Sequence, residues 1–207
     1  IMYTTNERNS EVQVEEAQKE FAKAGIEVIT KGISSTNDVQ DTTKSLMSQT
    51  EVLFIPTDNM IVSAISLITE LSKEMKVPVV GGSADVVDQG VLFTYGANYE
   101  ALGRQTAKLA VRIIKGEDVS KVAAEYPKAL NVVANDDMAK TLGIDLSSIE
   151  NEATKASTDD SEKASTQASS TAKANPTKTS NKSAKKASNA WIDIILTAIS
   201  QGLLWAI

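Results

Sequence analysis

The chain has 207 residues, 42% of them hydrophobic and only 4% aromatic, and contains neither cysteine nor histidine. That is enough chain and apolar content for one large or two small domains around a core. It excludes disulfides, thiolate metal sites, cysteine nucleophiles and any histidine-based triad or general base. The net charge of −6 is unevenly placed: residues 1–150 carry −8, residues 151–189 carry +3, and Asp193 supplies the remaining −1. A strongly acidic folded part lacks the basic face that nucleic acid requires, so no nucleic-acid partner is expected.

The opening "IMYTTNERNS" has no Met at position 1, no basic n-region and no apolar h-region. It reads as a cut-off beginning with no visible signal peptide. "IMY" is the end of a strand, and a helix follows from about Asn9 to Ala24, with Val14, Ala17 and Phe21 on one face and Gly25 as its stop. "IEVITKGI" is the next strand, "STNDVQDTTKSLMSQ" a capped helix, and "EVLFIP" a strand apolar on both faces. Ile61, Ala64, Ile65, Ile68, Leu71 and Met75 form the stripe of one helix that ends before "VPVVGG". A helix from about Tyr99 to Lys115 is expected to turn Leu102, Leu109, Ile113 and Ile114 inward. "ALNVVAN" then gives a strand and "DDMAKTLGI" a short helix. Short apolar runs alternating with helical periods predict an α/β fold with a doubly wound parallel sheet over residues 1–147.

Residues 151–189 are almost entirely Ser, Thr, Ala, Lys and Asn, with no aromatic or large aliphatic residue. Such a segment is expected to stay disordered as a tether. The composition flips in 190–207, where "WIDIILTAISQGLLWAI" holds 17 residues with one charge. At about 1.5 Å per residue it falls a little short of a bilayer core of about 30 Å. It is read as an interfacial helix or a truncated membrane-spanning one.

In an open parallel sheet, ligands bind beyond the carboxyl ends of the strands. Here those ends carry "TTNERNS", "PTDN" and "GGSAD", three polar clusters that should converge on one crevice. Each alone has a plain alternative, since Asn9, Asp58 and Ser83 are good helix caps. Gly81-Gly82 reads as a tight turn, Glu7, Arg8 and Glu11 as a solvated helix face, and Asp136-Asp137 as the start of the last helix. Together the clusters offer hydroxyls, amides and one or two carboxylates, and no nucleophile paired with a base. That equipment holds a small polar or zwitterionic molecule, with no catalytic residues, cofactor or metal expected.

"MYTTNERNSEVQVEEAQKEFAKAGIEV", "VLFIPTDNMIVSAI", "VPVVGGSADVVDQGVLFTYGANYEALGRQTAKLAVRIIKGED" and "NVVANDDMAKTLGIDL" resemble solute-binding proteins of ABC transporters, in the family that includes tryptophan and tyrosine uptake systems. The resemblance implies a type I periplasmic-binding-protein fold represented mainly by its second lobe, with 97–116 crossing to a first lobe that is mostly missing. It implies capture of an amino acid, aromatic favoured, outside the cytoplasm at the cell surface, for an ABC permease that 190–207 begins. It also implies a ligand site made of Thr5, Asn9, Ser10, Asp58 and Asn59; Ser83 and Tyr95 are added to the site, with Tyr95 near the crossing between lobes. Asp58 is assigned to the ligand ammonium, so Asp58→Asn is expected to weaken binding and leave folding intact. Two other readings stay open: the ligand-sensing ectodomain of a membrane receptor, and an enzyme of the same fold with Asp58 as base.

Overall fold

A computed structural model describes residues 1–147; the expected tether at 151–189 and apolar helix at 190–207 lie outside the described residues. The described residues form six short strands and six α-helices, in the order β1 (Met2–Thr4), α1 (Arg8–Lys23), β2 (Lys31–Ile33), α2 (Val39–Met47), β3 (Leu53–Ile55), α3 (Asn59–Ser63), α4 (Ile65–Met75), β4 (Val79–Gly81), β5 (Phe93–Ala97), α5 (Tyr99–Ile114), β6 (Leu130–Ala134) and α6 (Asp136–Leu142). β1 and β2 pair in parallel, and β3, β4 and β5 form a second parallel set. β1 lies against β3, which brings the two sets together.

The central strands β3 and β4 are apolar on both faces because both faces are covered. Phe54, Val80 and Phe93 join Val14, Ala17 and Phe21 of α1 and Met138 of α6 on one side. Leu53, Ile55 and Val79 join Val39 and Leu46 of α2 and Ile65, Ile68 and Leu71 of α4 on the other. Phe21 meets Phe54 edge to face at 6.1 Å, a favoured aromatic geometry. The doubly wound reading therefore describes residues 1–97 well.

Four details depart from expectation. β6 runs antiparallel to β5, so the sheet is mixed. β5 itself carried no strand expectation, although "FTYGA" lies between β4 and β6. Of "IEVITKGI" only Lys31–Ile33 form the strand, paired with Met2–Thr4. The long helix after "PTDN" breaks at Ala64 (φ −108°, ψ 12°) into α3 and α4. Its stripe survives the break because Ile61 and Ile65 still face the core.

The chain leaves the sheet at Ala97 and comes back at Leu130, and these two residues are paired neighbours. The backbone N–H of Asn98 donates to Ala129 O at 3.0 Å, closing the base of the excursion. α5 sits inside it and has no buried residue. Ile113, expected to point inward, is 39% exposed and Ile114 is 82% exposed. The apolar stripe is only partly covered: Leu102 and Leu109 are half-buried, while Ile113 and Ile114 face outward among the described residues.

Candidate ligand-binding site

Parallel pairing sets the carboxyl ends of β1, β3, β4 and β5 along one edge, where an open parallel sheet would hold a ligand, and the loops after them meet there. The loop after β3 is its centre. Pro56 is buried there, followed by half-buried Thr57, buried Asp58 and exposed Asn59.

Asp58 is turned into the protein. Its Oδ2 accepts from Thr4 N and Ser10 Oγ, each at 2.7 Å. Its Oδ1 accepts from Thr4 Oγ1 at 2.7 Å and from Ile61 N at 3.1 Å, which caps α3. Asp58 is 1% exposed, and Thr4 and Ser10 are fully buried. The carboxylate thus ties β1, α1 and α3 together, and neither it nor the Ser10 hydroxyl opens to the crevice. This corrects the expectation of an Asp58 side chain facing a ligand. All four of its partners are donors and an Asn amide would bring two more, so Asp58→Asn is expected to weaken folding as well as binding.

The next residue is gripped by its backbone. Gln13, 3% exposed, accepts from Thr57 N at 2.9 Å and donates to Thr57 O at 3.4 Å. Asn9 Nδ2 donates to the same carbonyl at 2.8 Å. Asn9 is therefore a side-chain clamp inside α1, not its cap. Glu7, read as part of a solvated face, reaches across to α3, where its Oε2 accepts from Asn59 N at 3.3 Å and Asn59 Nδ2 at 3.5 Å and its Oε1 from Met60 N at 3.4 Å. The expected site residues Asn9, Ser10, Asp58 and Asn59 are brought together, joined by Thr4, Glu7, Gln13 and Thr57, which sequence reasoning missed. Gln13 was findable: it stands one turn after Asn9 and borders the stripe of Val14 and Ala17.

Thr5, exposed, lies at the end of β1, with its N–H and Oγ1 donating to Ile33 O at 2.9 and 3.3 Å. On the far side, Gly81 and Gly82 serve close approach more than turning. A Cβ on Gly82 would stand 2.8 Å from Thr57 N, 3.0 Å from Thr57 Oγ1 and 3.1 Å from Pro56 C. Gly82 N donates to Ile55 O at 2.9 Å, which holds the two loops together. Ser83 is 5% exposed and precedes a 3₁₀ turn without capping it. Tyr95, half-buried on β5, pairs with Val132 at the crossing into the excursion.

The excursion bears a separate charged cleft of about 420 Å³, lined by Arg104, Gln105, Lys108, Arg112, Glu125 and Lys128. Arg112 holds Glu117 with two hydrogen bonds, at 2.7 and 2.5 Å, and these lower the Glu117 carboxyl below its usual range. Hydrogen bonds from Lys128 and Gln105 lower Glu125 likewise. Among the described residues no cluster of acidic side chains is built to hold a metal. The crevice has hydroxyls, amides and backbone groups set by a rigid frame, which suits holding a polar molecule.

Residues 1–157 match the family model described as ABC transporter substrate binding protein. A tyrosine-binding protein of Clostridioides difficile (strain R20291) is 31% identical over 151 residues, which are 73% of this chain and 44% of that protein. The ligand-free, open structure of a substrate binding protein with adhesive properties from Clostridium difficile is 37% identical with a TM-score of 0.62, covering 72% of this chain and 51% of that one. An ABC domain from Streptococcus pneumonia, solved in complex with L-Trp, is 29% identical with a TM-score of 0.65, covering 73% and 52%. The chain thus spans about half the length of the relatives it matches.

Proposed function

The chain belongs to the ABC transporter substrate-binding protein family, and from that premise we propose that it captures an amino acid, aromatic favoured, between two lobes for delivery to an importer permease. The observation that carries this is the excursion at 98–129. It leaves and re-enters at the carboxyl end of β5, and its helix α5 carries an apolar stripe whose Ile113 and Ile114 are exposed among the described residues. That is the form expected of a segment crossing to the first lobe, with 1–97 and 130–147 making up the second. Ligand binding then closes the two bodies about the β5–β6 crossing, because only the closed form contacts the ligand from both sides. The aromatic preference draws on the relatives, one a tyrosine-binding protein and one solved with L-Trp.

In this reading Thr5, Asn9, Asn59, Ser83 and Tyr95 border the ligand, while Asp58 and Ser10 hold the loop that presents them. The protein works outside the cytoplasm. The Ser/Thr/Ala/Lys-rich 151–189 segment is its tether, and the apolar 190–207 segment leads into the permease at the membrane. Calorimetric titration of the full-length protein with tyrosine, tryptophan and aliphatic amino acids tests the proposal. Saturable binding of the aromatic pair, tighter than of the aliphatics, is expected; no binding of any amino acid overturns it.

A further inference from the structure

The excursion at 98–129 differs in charge from the body it leaves. It holds six Lys and Arg against four acids, whereas the rest of residues 1–150 holds eight against eighteen. Arg104, Lys108 and Arg112 stand on successive turns of α5 and line its charged cleft together with Lys128 of the returning chain, and Glu125 is the one acid in that lining. Arg104 pairs with Glu100, Arg112 with Glu117 and Lys128 with Glu125, all near the surface. Lys108 alone of the four has no ion pair or hydrogen bond among the described residues. Exposed pairs contribute little, so their cations exchange partners easily.

The cleft is shaped before any partner arrives. Gln105 donates from Nε2 to Glu125 Oε2 and Tyr126 O, each at 2.9 Å, and its Oε1 accepts from Lys128 N at 3.3 Å. These bonds lock the returning chain against α5 and bring Lys128 beside the α5 row. Ala101 and Leu109 give the lining an apolar share. At about 100° per residue, Ile113 and Ile114 are turned about 100° and 160° from Arg112, so a cover over those two leaves this wall open.

The spacing of the cations says what fits. Charges four residues apart on a helix repeat about every 6 Å along its axis. In an extended peptide every second side chain points the same way, a repeat of about 6.6 Å. Acids at alternate positions of such a peptide therefore meet Arg104, Lys108 and Arg112 in register. A flat layer of lipid headgroups lies across the mouth of a cleft, and a phosphate polymer has nothing to set against Ala101 and Leu109. The methylenes of Glu do. We infer that the cleft binds an extended acidic segment of a partner protein, with acids at alternate positions. Lys108 gains a carboxylate and Arg104 exchanges Glu100 for one. Arg112 keeps Glu117 on Nε and Nη2 and offers Nη1. This inference goes beyond the amino-acid reading and does not depend on it.

The test is fluorescence anisotropy of the full-length protein at low ionic strength with two labelled peptides of one composition, (Ser-Glu)4 and (Ser-Ser-Glu-Glu)2. The alternating peptide should bind about tenfold more tightly, the size of two or three exposed charge contacts brought into register. Lys108→Glu should weaken that binding by about tenfold or more. Lys121→Glu makes the same charge change on the excursion outside the cleft and should weaken it by about twofold at most. Both side chains are exposed, so both variants should melt with wild type. Vesicles of phosphatidylglycerol and sodium polyphosphate should compete only weakly. Absence of peptide binding, equal affinity for the two peptides, equal losses in the two variants, or tighter binding of vesicles or polyphosphate each overturn the inference.

Discussion

Thr4 holds both oxygens of Asp58, its backbone N–H on Oδ2 and its hydroxyl on Oδ1, each at 2.7 Å. One strand residue thus fixes the rotation of a carboxylate that lies 54 positions further along the chain. Asp58→Asn keeps the shape and inverts half the hydrogen-bonding sense, leaving buried donors facing donors. A loss of about 3 kcal/mol is expected in urea unfolding of the full-length protein, with Thr4→Val losing about 1 kcal/mol. Unchanged midpoints for Asp58→Asn would show the carboxylate to be a dispensable cap.

Gln13 serves Thr57 in both directions, accepting from its N–H and donating to its carbonyl. Gln13→Met fills the same space and offers neither. It should cost about 1 to 3 kcal/mol, since Gln13 is buried and the Thr57 backbone loses its partner. Hydrogen exchange is the sharper measurement: the Thr57 amide should exchange faster in the variant, while the amides of β4 keep their protection.

At Gly82 the obstacle to a side chain is space. The atoms that a Cβ would meet include Thr57 N and Pro56 C, which belong to backbone clamped from the other side by Asn9 and Gln13. Gly82→Ala is therefore expected to destabilise by about 1 to 3 kcal/mol, in the range of overpacked cores. A thermal melt unaffected by the change would mean that the two loops slide apart freely.

The excursion supplies a prediction in pH and salt. Glu117 and Glu125 are held below the usual carboxylate range by their donors, Arg112 for the first and Lys128 with Gln105 for the second. A carboxyl depressed in the folded state adds stability that is present above its unfolded value, about 4.5, and is lost as pH falls through the folded value. Both side chains are in exposed ion pairs, so the effect is small and salt-screened. NMR titration of the side-chain carboxyls should place both below the other exposed glutamates at low ionic strength and move them up at about 0.5 M salt. Identical midpoints at both ionic strengths would rule out pairing in solution.

The sheet and its two covered faces were legible because burial writes itself into periodicity: Phe54 and Leu53 are apolar since both sides of β3 are packed. The gathering of the polar loops at one edge of the sheet was legible for the same reason, as parallel strands with crossover helices leave those loops at one end. The direction of Asp58 was not. A carboxylate after a strand reads the same whether it faces a crevice or the donors of Thr4 and Ser10, which are 54 and 48 residues away. Helix α5 failed in the opposite sense. Its stripe signals a partner, and periodicity is silent on whether that partner lies within the same stretch of chain. The antiparallel β6 was hidden because strand direction depends on where the chain re-enters the sheet, which no local pattern encodes.

Since Ala97 and Leu130 are ladder partners and Asn98 bonds to Ala129, the excursion between them is topologically an insert at the tip of a β-hairpin. A splice follows: residues 98–129 exchanged for a short Asn-Gly turn would join β5 to β6 directly, because two-residue loops of that kind match the twist of an antiparallel pair. Nothing in either buried cluster belongs to the removed stretch. The same hairpin tip is thus a grafting point, at which foreign segments could be displayed with both ends already fixed at the spacing of two neighbouring strands.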